Sequence, residues 1–245
     1  MIVGFVGSGS MAAAMARGWA GAVDSMLFSD SGSGRAAKLA AELGGEAVGN
    51  EEIAARADLV VVAVKPAKLE QVAAQLGAAR AVISLLGATP LAKVAGLFPE
   101  AAVLRLMPNV GVEVGKGVLC IAGEAAPEVR EKLALLGHVV ELPDADFDAA
   151  TAVMGCAPAY LALAVEAIAD AGVAAGLDPE LARELVVETA AGTAELLRVH
   201  DPAAVRKAVA SPGGSTEAGL QALDREGARA AFEAAVRASL ERMRG

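Results

Sequence analysis

Residues 2–12 read Ile2-Val3-Gly4-Phe5-Val6-Gly7-Ser8-Gly9-Ser10-Met11-Ala12: a short apolar run, a glycine turn, then a helical pattern. The run has the length of one buried strand, and the Gly-x-Gly-x-x-Ala spacing from Gly7 to Ala12 follows it directly. In such a turn the first glycine permits the tight bend and the second lets a pyrophosphate approach the backbone. The small third residue lets the helix pack close to the strand. The helix start then offers free N–H groups and a partial positive charge to phosphate. The stretch therefore predicts the first turn of a dinucleotide-binding βαβ unit, with Gly7, Ser8, Gly9, Ser10 and Met11 around the pyrophosphate. A tight turn with no ligand is the other reading of the glycines alone.

Moving outward, short apolar runs alternate with helical patterns through about residue 143. Expected strands are 2–6, 26–29, 59–64, 81–85, 102–107, 118–122 and 139–142; expected helices are 11–19, 34–43, 68–76 and 127–136. Leu59-Val60-Val61-Val62-Ala63-Val64 is apolar on both faces, as a strand covered on both sides requires. This alternation predicts an α/β fold, a Rossmann-like, doubly wound, mainly parallel sheet, over residues 1–146.

Within that domain Ser29 and Asp30 end the second strand, where a carboxylate often binds the adenosine ribose. Asp30 favours NAD by itself, whereas Ser29, Ser31, Ser33 and Arg35 make a plausible cradle for a 2′-phosphate. An ordinary polar turn is the third reading, so NADP(H) against NAD(H) stays open. Val64, Lys65 and Pro66 lie at the carboxyl end of the most apolar strand, the edge where open α/β sheets bind ligands. A solvated lysine is the plain alternative for Lys65.

Residues 147–245 have a different grammar, all helical. Asp178-Pro179 and Asp201-Pro202 each restart a helix with a capping carboxylate and a proline suited to the first position. Tyr160-Leu161-Ala162-Leu163-Ala164-Val165 leaves no polar stripe, and a helix apolar all round must be buried. About 100 residues offer little to bury it in, so this half is expected to pack against a second subunit. A compact helical cap against the first domain is the alternative.

Ser211-Pro212-Gly213-Gly214-Ser215-Thr216 interrupts the helical pattern with a backbone-exposed helix entry that suits an anion. Ser211, Gly213, Gly214, Ser215 and Thr216 are the candidate substrate-binding residues, and Thr216 is the candidate catalytic hydroxyl. A capped interhelical turn is the bland reading.

Composition narrows the chemistry. The chain is 55% hydrophobic, 3% aromatic and 21% charged, with a net charge of −9, which fits a globular protein and disfavours a nucleic-acid partner. Only Cys120 and Cys156 occur, so a disulfide scaffold is not expected. No basic segment with a cleavage site precedes the first strand, and the longest apolar runs are broken by Gly, Pro or charge. A soluble cytoplasmic protein with no membrane partner is expected. His138 and His200 sit in no ligand or triad spacing, so no metal site is expected. No lysine lies between Lys132 and Lys207, where β-hydroxyacid dehydrogenases carry their catalytic lysine. A protonated cyclic imine needs no strong base. It accepts hydride at carbon and asks the protein mainly for orientation, a carboxylate clamp and a hydrogen bond at nitrogen.

Four segments in order resemble pyrroline-5-carboxylate reductases: Phe5–Ala12, Ala63-Val64-Lys65-Pro66, Arg105-Leu106-Met107-Pro108-Asn109 and Ser211–Thr216. Pro158-Ala159-Tyr160 and Ala169-Asp170-Ala171-Gly172-Val173 add to the likeness. The resemblance implies reduction of pyrroline-5-carboxylate to L-proline in proline biosynthesis, with cofactor at Gly7–Met11, Asn50 and Val64–Pro66. It implies NADPH as the usual donor, and a carboxylate held at Gly214, Ser215 and Thr216 with the Thr216 hydroxyl near the ring nitrogen. It further implies a homodimer through an all-α C-terminal dimerisation domain, with a decamer as a larger assembly. Three positions depart from the family. Met154-Gly155-Cys156-Ala157 replaces a more polar Ser-Gly-Ser-Gly, Leu85-Leu86-Gly87-Ala88 replaces Ala-Ala-Gly, and Asp30-Ser31 stands where many members have Asn-Arg. A related cyclic imine as substrate, or a non-catalytic redox sensor, are the competing functions.

Overall fold

The computed structural model describes residues 1–244. Eight strands form one sheet: β1 (Ile2–Val6), β2 (Ser25–Ser29), β3 (Glu46–Ala47), β4 (Leu59–Val62), β5 (Ala81–Ser84), β6 (Ala102–Pro108), β7 (Gly117–Ala122) and β8 (Gly137–Glu141). Their order is β3-β2-β1-β4-β5-β6-β7-β8. All pairs are parallel except β6–β7, so β7 and β8 run against the other six. The reversal follows from the β6–β7 connection, a short turn over Val110–Val114, because a parallel crossover needs a dozen or more residues.

The connecting helices are α1 (Ser10–Gly18), α2 (Arg35–Leu43), α3 (Asn50–Arg56), α4 (Leu69–Ala73), α5 (Leu91–Leu97), α6 (Pro127–Leu136) and α7 (Phe147–Ala150). One core, with Phe5, Met15, Trp19, Phe28 and Leu133, lies under α1, α2 and α6. On the opposite sheet face Val60 and Val62 share a core with Ile53 of α3, Leu76 after α4 and Val94 of α5, and Cys120 and Ala122 with Phe147 of α7. Helices on both faces explain why β4 is apolar on both sides.

The expected strands all form. Missing from the sequence-based reading are the two-residue β3, α3 and α5, and the expected helix 68–76 shortens to a 3₁₀ turn Pro66–Lys68 followed by α4. Phe147–Cys156 packs as part of the first compact unit, Met1–Cys156 with residues 240–244, which therefore runs beyond residue 146. The reason is local: Phe147 is buried against Cys120 and Ala122, and the Arg105 guanidinium stacks on its ring at 4.3 Å.

The second unit, Ala157–Ser239, is helical: α8 (Ala157–Ala174), α9 (Pro179–Leu196), α10 (Pro202–Val209), α11 (Ser215–Arg225) and most of α12 (Ala228–Arg244). Asp178 and Asp201 cap α9 and α10, each carboxylate accepting two backbone N–H groups. Helices α8 and α9 pair tightly where Gly172 faces Ala182. The Tyr160 hydroxyl hydrogen-bonds Ser239 Oγ at 2.5 Å, tying α8 to α12. Within one chain the apolar α8 is not buried: Leu161, Leu163 and Ile168 are 64%, 64% and 59% exposed.

Candidate active site

The carboxyl ends of β1, β2, β4, β5 and β6 share one edge of the sheet, and the sequence-derived cofactor residues gather along it. Gly7 adopts φ +97, and a Cβ there would lie 2.6 Å from the Ala63 carbonyl oxygen, so only glycine suits the close approach of the chain leaving β1 to that leaving β4. Gly9 differs: nothing lies within 4 Å of a Cβ built on it. It caps α1 without a side-chain hydrogen bond, and the N–H groups of Ser10, Met11 and Ala12 point out of the first turn without intrahelical partners. A glycine with open space before an uncapped helix is the geometry a pyrophosphate needs. The Ser8 hydroxyl is buried and donates to the Ser29 carbonyl at 2.9 Å, which leaves only its backbone for a ligand at this turn.

At the end of β2 the Asp30 carboxylate folds back on its own turn. Oδ1 accepts from Gly32 N–H at 2.6 Å and Ser33 N–H at 2.9 Å, and Oδ2 accepts from Ala36 N–H at 2.7 Å. The Ala36 bond leads in lowering its pKa to about 2, against the opposing effect of burial. Asp30 is thus first a turn and helix cap, which the sequence weighed as an ordinary polar turn. Of the proposed cradle residues, Arg35 Nε donates to Ser33 Oγ at 3.1 Å, whereas the Ser29 hydroxyl is engaged by Asn50. Beside them a shallow groove of about 360 Å³ is lined by Phe28, Ser29, Asp30, Ala36, Ala47 and Val48. Ala47 and Val48 of that lining lie in and just after β3, a strand of two residues too short to announce itself.

Asn50 is placed by Ser29, whose hydroxyl donates to its Oδ1 at 2.6 Å, and by Gln75, which accepts from its Nδ2 at 2.6 Å. Gln75 escaped the sequence reading because its partner lies 25 residues away. Past β4, Val64 is half-buried, Lys65 is exposed and Pro66 starts the 3₁₀ turn. Past β5, Ala88 has φ +51, the one described non-glycine residue with positive φ, and marks local strain at this edge.

In the second unit Gly213 has φ +72 and turns the chain into α11. Gly213 N–H donates to Glu217 Oε2 at 2.7 Å and Gly214 N–H to the Ser211 carbonyl at 2.9 Å. The expected anion clamp therefore loses these two donors to the loop's own turn. The N–H groups of Ser215 and Thr216 open α11, whose cap Gly214 supplies no side-chain bond. The Thr216 side chain is exposed beside them. No group of metal-ligating side chains occurs among the described residues. Cys120 is buried, which pushes its thiol pKa up and away from nucleophilic use.

Residues 144–245 match the family described as pyrroline-5-carboxylate reductase dimerisation, and residues 2–87 match NADP oxidoreductase, coenzyme F420-dependent. The pyrroline-5-carboxylate reductase of Synechocystis is 41% identical over 79% of this chain and 76% of its own length. The chain belongs to the pyrroline-5-carboxylate reductase family. Solved pyrroline-5-carboxylate reductases agree along the whole length. That of Streptococcus pyogenes has a TM-score of 0.88 at 28% identity, covering 99% of this chain and 98% of its own. The Plasmodium falciparum pyrroline carboxylate reductase, solved with NADP bound, has a TM-score of 0.86 at 28% identity, covering 99% of this chain and 97% of its own.

Proposed function

We propose that the chain reduces L-1-pyrroline-5-carboxylate to L-proline with NADPH or NADH, as a cytoplasmic enzyme of proline biosynthesis. The observation that carries this reading is the pairing, in one chain of this family, of an uncapped dinucleotide turn at Gly9–Met11 with an uncapped helix entry at Gly214–Thr216. When bound, the nicotinamide supplies hydride to the imine carbon. Gly7–Met11, Asn50 and Val64–Pro66 hold the cofactor along the sheet edge, with Ser29 and Asp30 shaping the ribose end. Ser215 and Thr216 donate backbone N–H groups to the substrate carboxylate, at a position favoured by the helix dipole by about 0.3–1 kcal/mol. Ser211, Gly213 and Gly214 shape that loop, and the Thr216 hydroxyl hydrogen-bonds the ring nitrogen.

The partner that covers α8 is a second copy of the chain, forming a homodimer through the helical unit; a decamer rests on the family resemblance alone. The helical stretch Asp144–Ala174 is also long and apolar enough to cross a membrane by length and composition. Glu166 and Asp170, however, line a groove between α8 and α9, and carboxylates deep in a bilayer cost about 2.5–3.5 kcal/mol each. That favours a protein partner over lipid.

The test is NADPH or NADH oxidation on adding pyrroline-5-carboxylate to the purified protein. Imine-dependent oxidation supports the reading, and the ratio of the two rates reads what the tied-down Asp30 leaves for the 2′ position. Thr216→Ala is expected to lower kcat about ten- to a hundredfold with cofactor KM unchanged; full activity in this variant removes Thr216 from the mechanism.

A further inference from the structure

The strand order lays the cofactor residues out in sequence along the edge. The ribose end lies at β2, the pyrophosphate turn at β1, Val64–Pro66 at β4, and the strained Ala88 turn at β5. Strands lie about 4.8 Å apart, so a dinucleotide running from β2 across β1 brings its nicotinamide towards β4 and β5. The next carboxyl end along the same edge is that of β6, and it carries Asn109.

Asn109 has its amide committed on both sides. Oδ1 accepts from Gly111 N–H at 3.2 Å and Val118 N–H at 3.1 Å, and Nδ2 donates to the Met154 carbonyl at 3.1 Å. Met154 belongs to a π-turn, Thr151–Gly155, closed by the bond from Cys156 N–H to the Thr151 carbonyl. Such turns are uncommon and recur at functional sites. This one is anchored from below as well. Thr151 Oγ1 donates to the Phe147 carbonyl at 2.7 Å, and Phe147 lies under the buried Arg105. Arg105 in turn pairs with Asp144 at 2.8 Å, and Asp144 accepts from Leu91 N–H. Asn109 is the direct tie between the turn and the ligand edge of the sheet.

We propose that Asn109 is a positioning residue for the hydride acceptor: it fixes the π-turn Thr151–Gly155 at the end of β6, the next carboxyl end along the sheet edge from the nicotinamide. The inference rests on the imine-reductase reading. It assigns Asn109 to the imine and leaves the dinucleotide, held further along the edge, outside its influence.

The experiment compares wild type with Asn109→Asp and Asn109→Ala in steady-state kinetics. Asn109→Asp keeps an acceptor for Gly111 and Val118 but places an oxygen, with no proton to donate, against the Met154 carbonyl. Both variants are expected to raise the imine KM about tenfold while the NADPH KM stays within about twofold. An unchanged imine KM overturns the proposal. So does parallel loss of NADPH and imine binding, which marks Asn109 as a support for the whole fold. A wild-type protein that binds NADPH without imine-dependent oxidation removes the imine-reductase reading, and the inference with it.

Discussion

In the first unit Phe5, Met15, Trp19, Phe28, Ile83 and Phe147 are fully enclosed, on both faces of the sheet. In the second, Ala182 is the only buried residue among those described, although its helices draw on the same Ala, Val and Leu. A sheet gives a plane that helices can cover from either side, so a chain of modest length closes a core. A few helices without such a plane leave apolar faces open, and these faces need another surface. Burial within the chain and burial between chains thus come from similar side chains arranged on different scaffolds.

The largest effect should come from making the second unit's exposed apolar face polar. Leu161 and Ile168 lie two turns apart on one side of α8, and burying each in a dimer is worth about 1.5–3 kcal/mol. The double variant Leu161→Glu, Ile168→Glu is expected to weaken self-association at least about a hundredfold, read by sedimentation. Unaltered self-association would show that α8 is covered by something else.

Next, Gly7 and Gly9 separate the cost of folding from the cost of binding within the first unit. Gly7→Ala forces a left-handed residue against the Ala63 carbonyl and should cost at least about 2 kcal/mol, lowering the unfolding temperature by roughly 4–8 °C or more. Gly9→Val meets open space. It should leave that temperature in place while raising the cofactor Kd more than about tenfold, a loss of at least about 1.4 kcal/mol. Equal thermal loss in both variants would collapse the distinction. Trp19, the single tryptophan, is buried in the first unit and reports its unfolding directly.

The smallest effect is electrostatic. The Asp30 pKa is lowered to about 2 by the N–H groups it accepts, Ala36 foremost, whereas an unfolded aspartate titrates near about 3.9. A lowered folded value means that its stabilisation is present above about pH 4 and fades as the pH falls towards 2. Asp30→Asn should flatten that part of the acid-stability curve followed by Trp19 fluorescence. An unchanged acid limb would show that the carboxylate does not anchor the turn.

Most elements of the molecule were legible in the sequence because their causes are local. The apolar run Leu59–Val64, the Gly7–Ala12 turn, and the Asp-Pro starts of α9 and α10 each state their geometry within a few residues. The two-residue β3 was not legible, because a strand that short has no periodicity and exists only by pairing with β2. The site residues were legible as candidates, but the tasks of their atoms were not.

By itself the sequence determined the alternation of strands and helices in the first half, the helical second half, and the two glycine turns that open α1 and α11. The tertiary structure alone decided that β7 and β8 reverse, that Asp30 serves its own turn, that Gly213 and Gly214 use their N–H groups within the loop, and that Asn109 holds Met154. Periodicity and capping depend on neighbours in the chain. The partner of a polar atom depends on which residues the completed fold brings within about 3 Å.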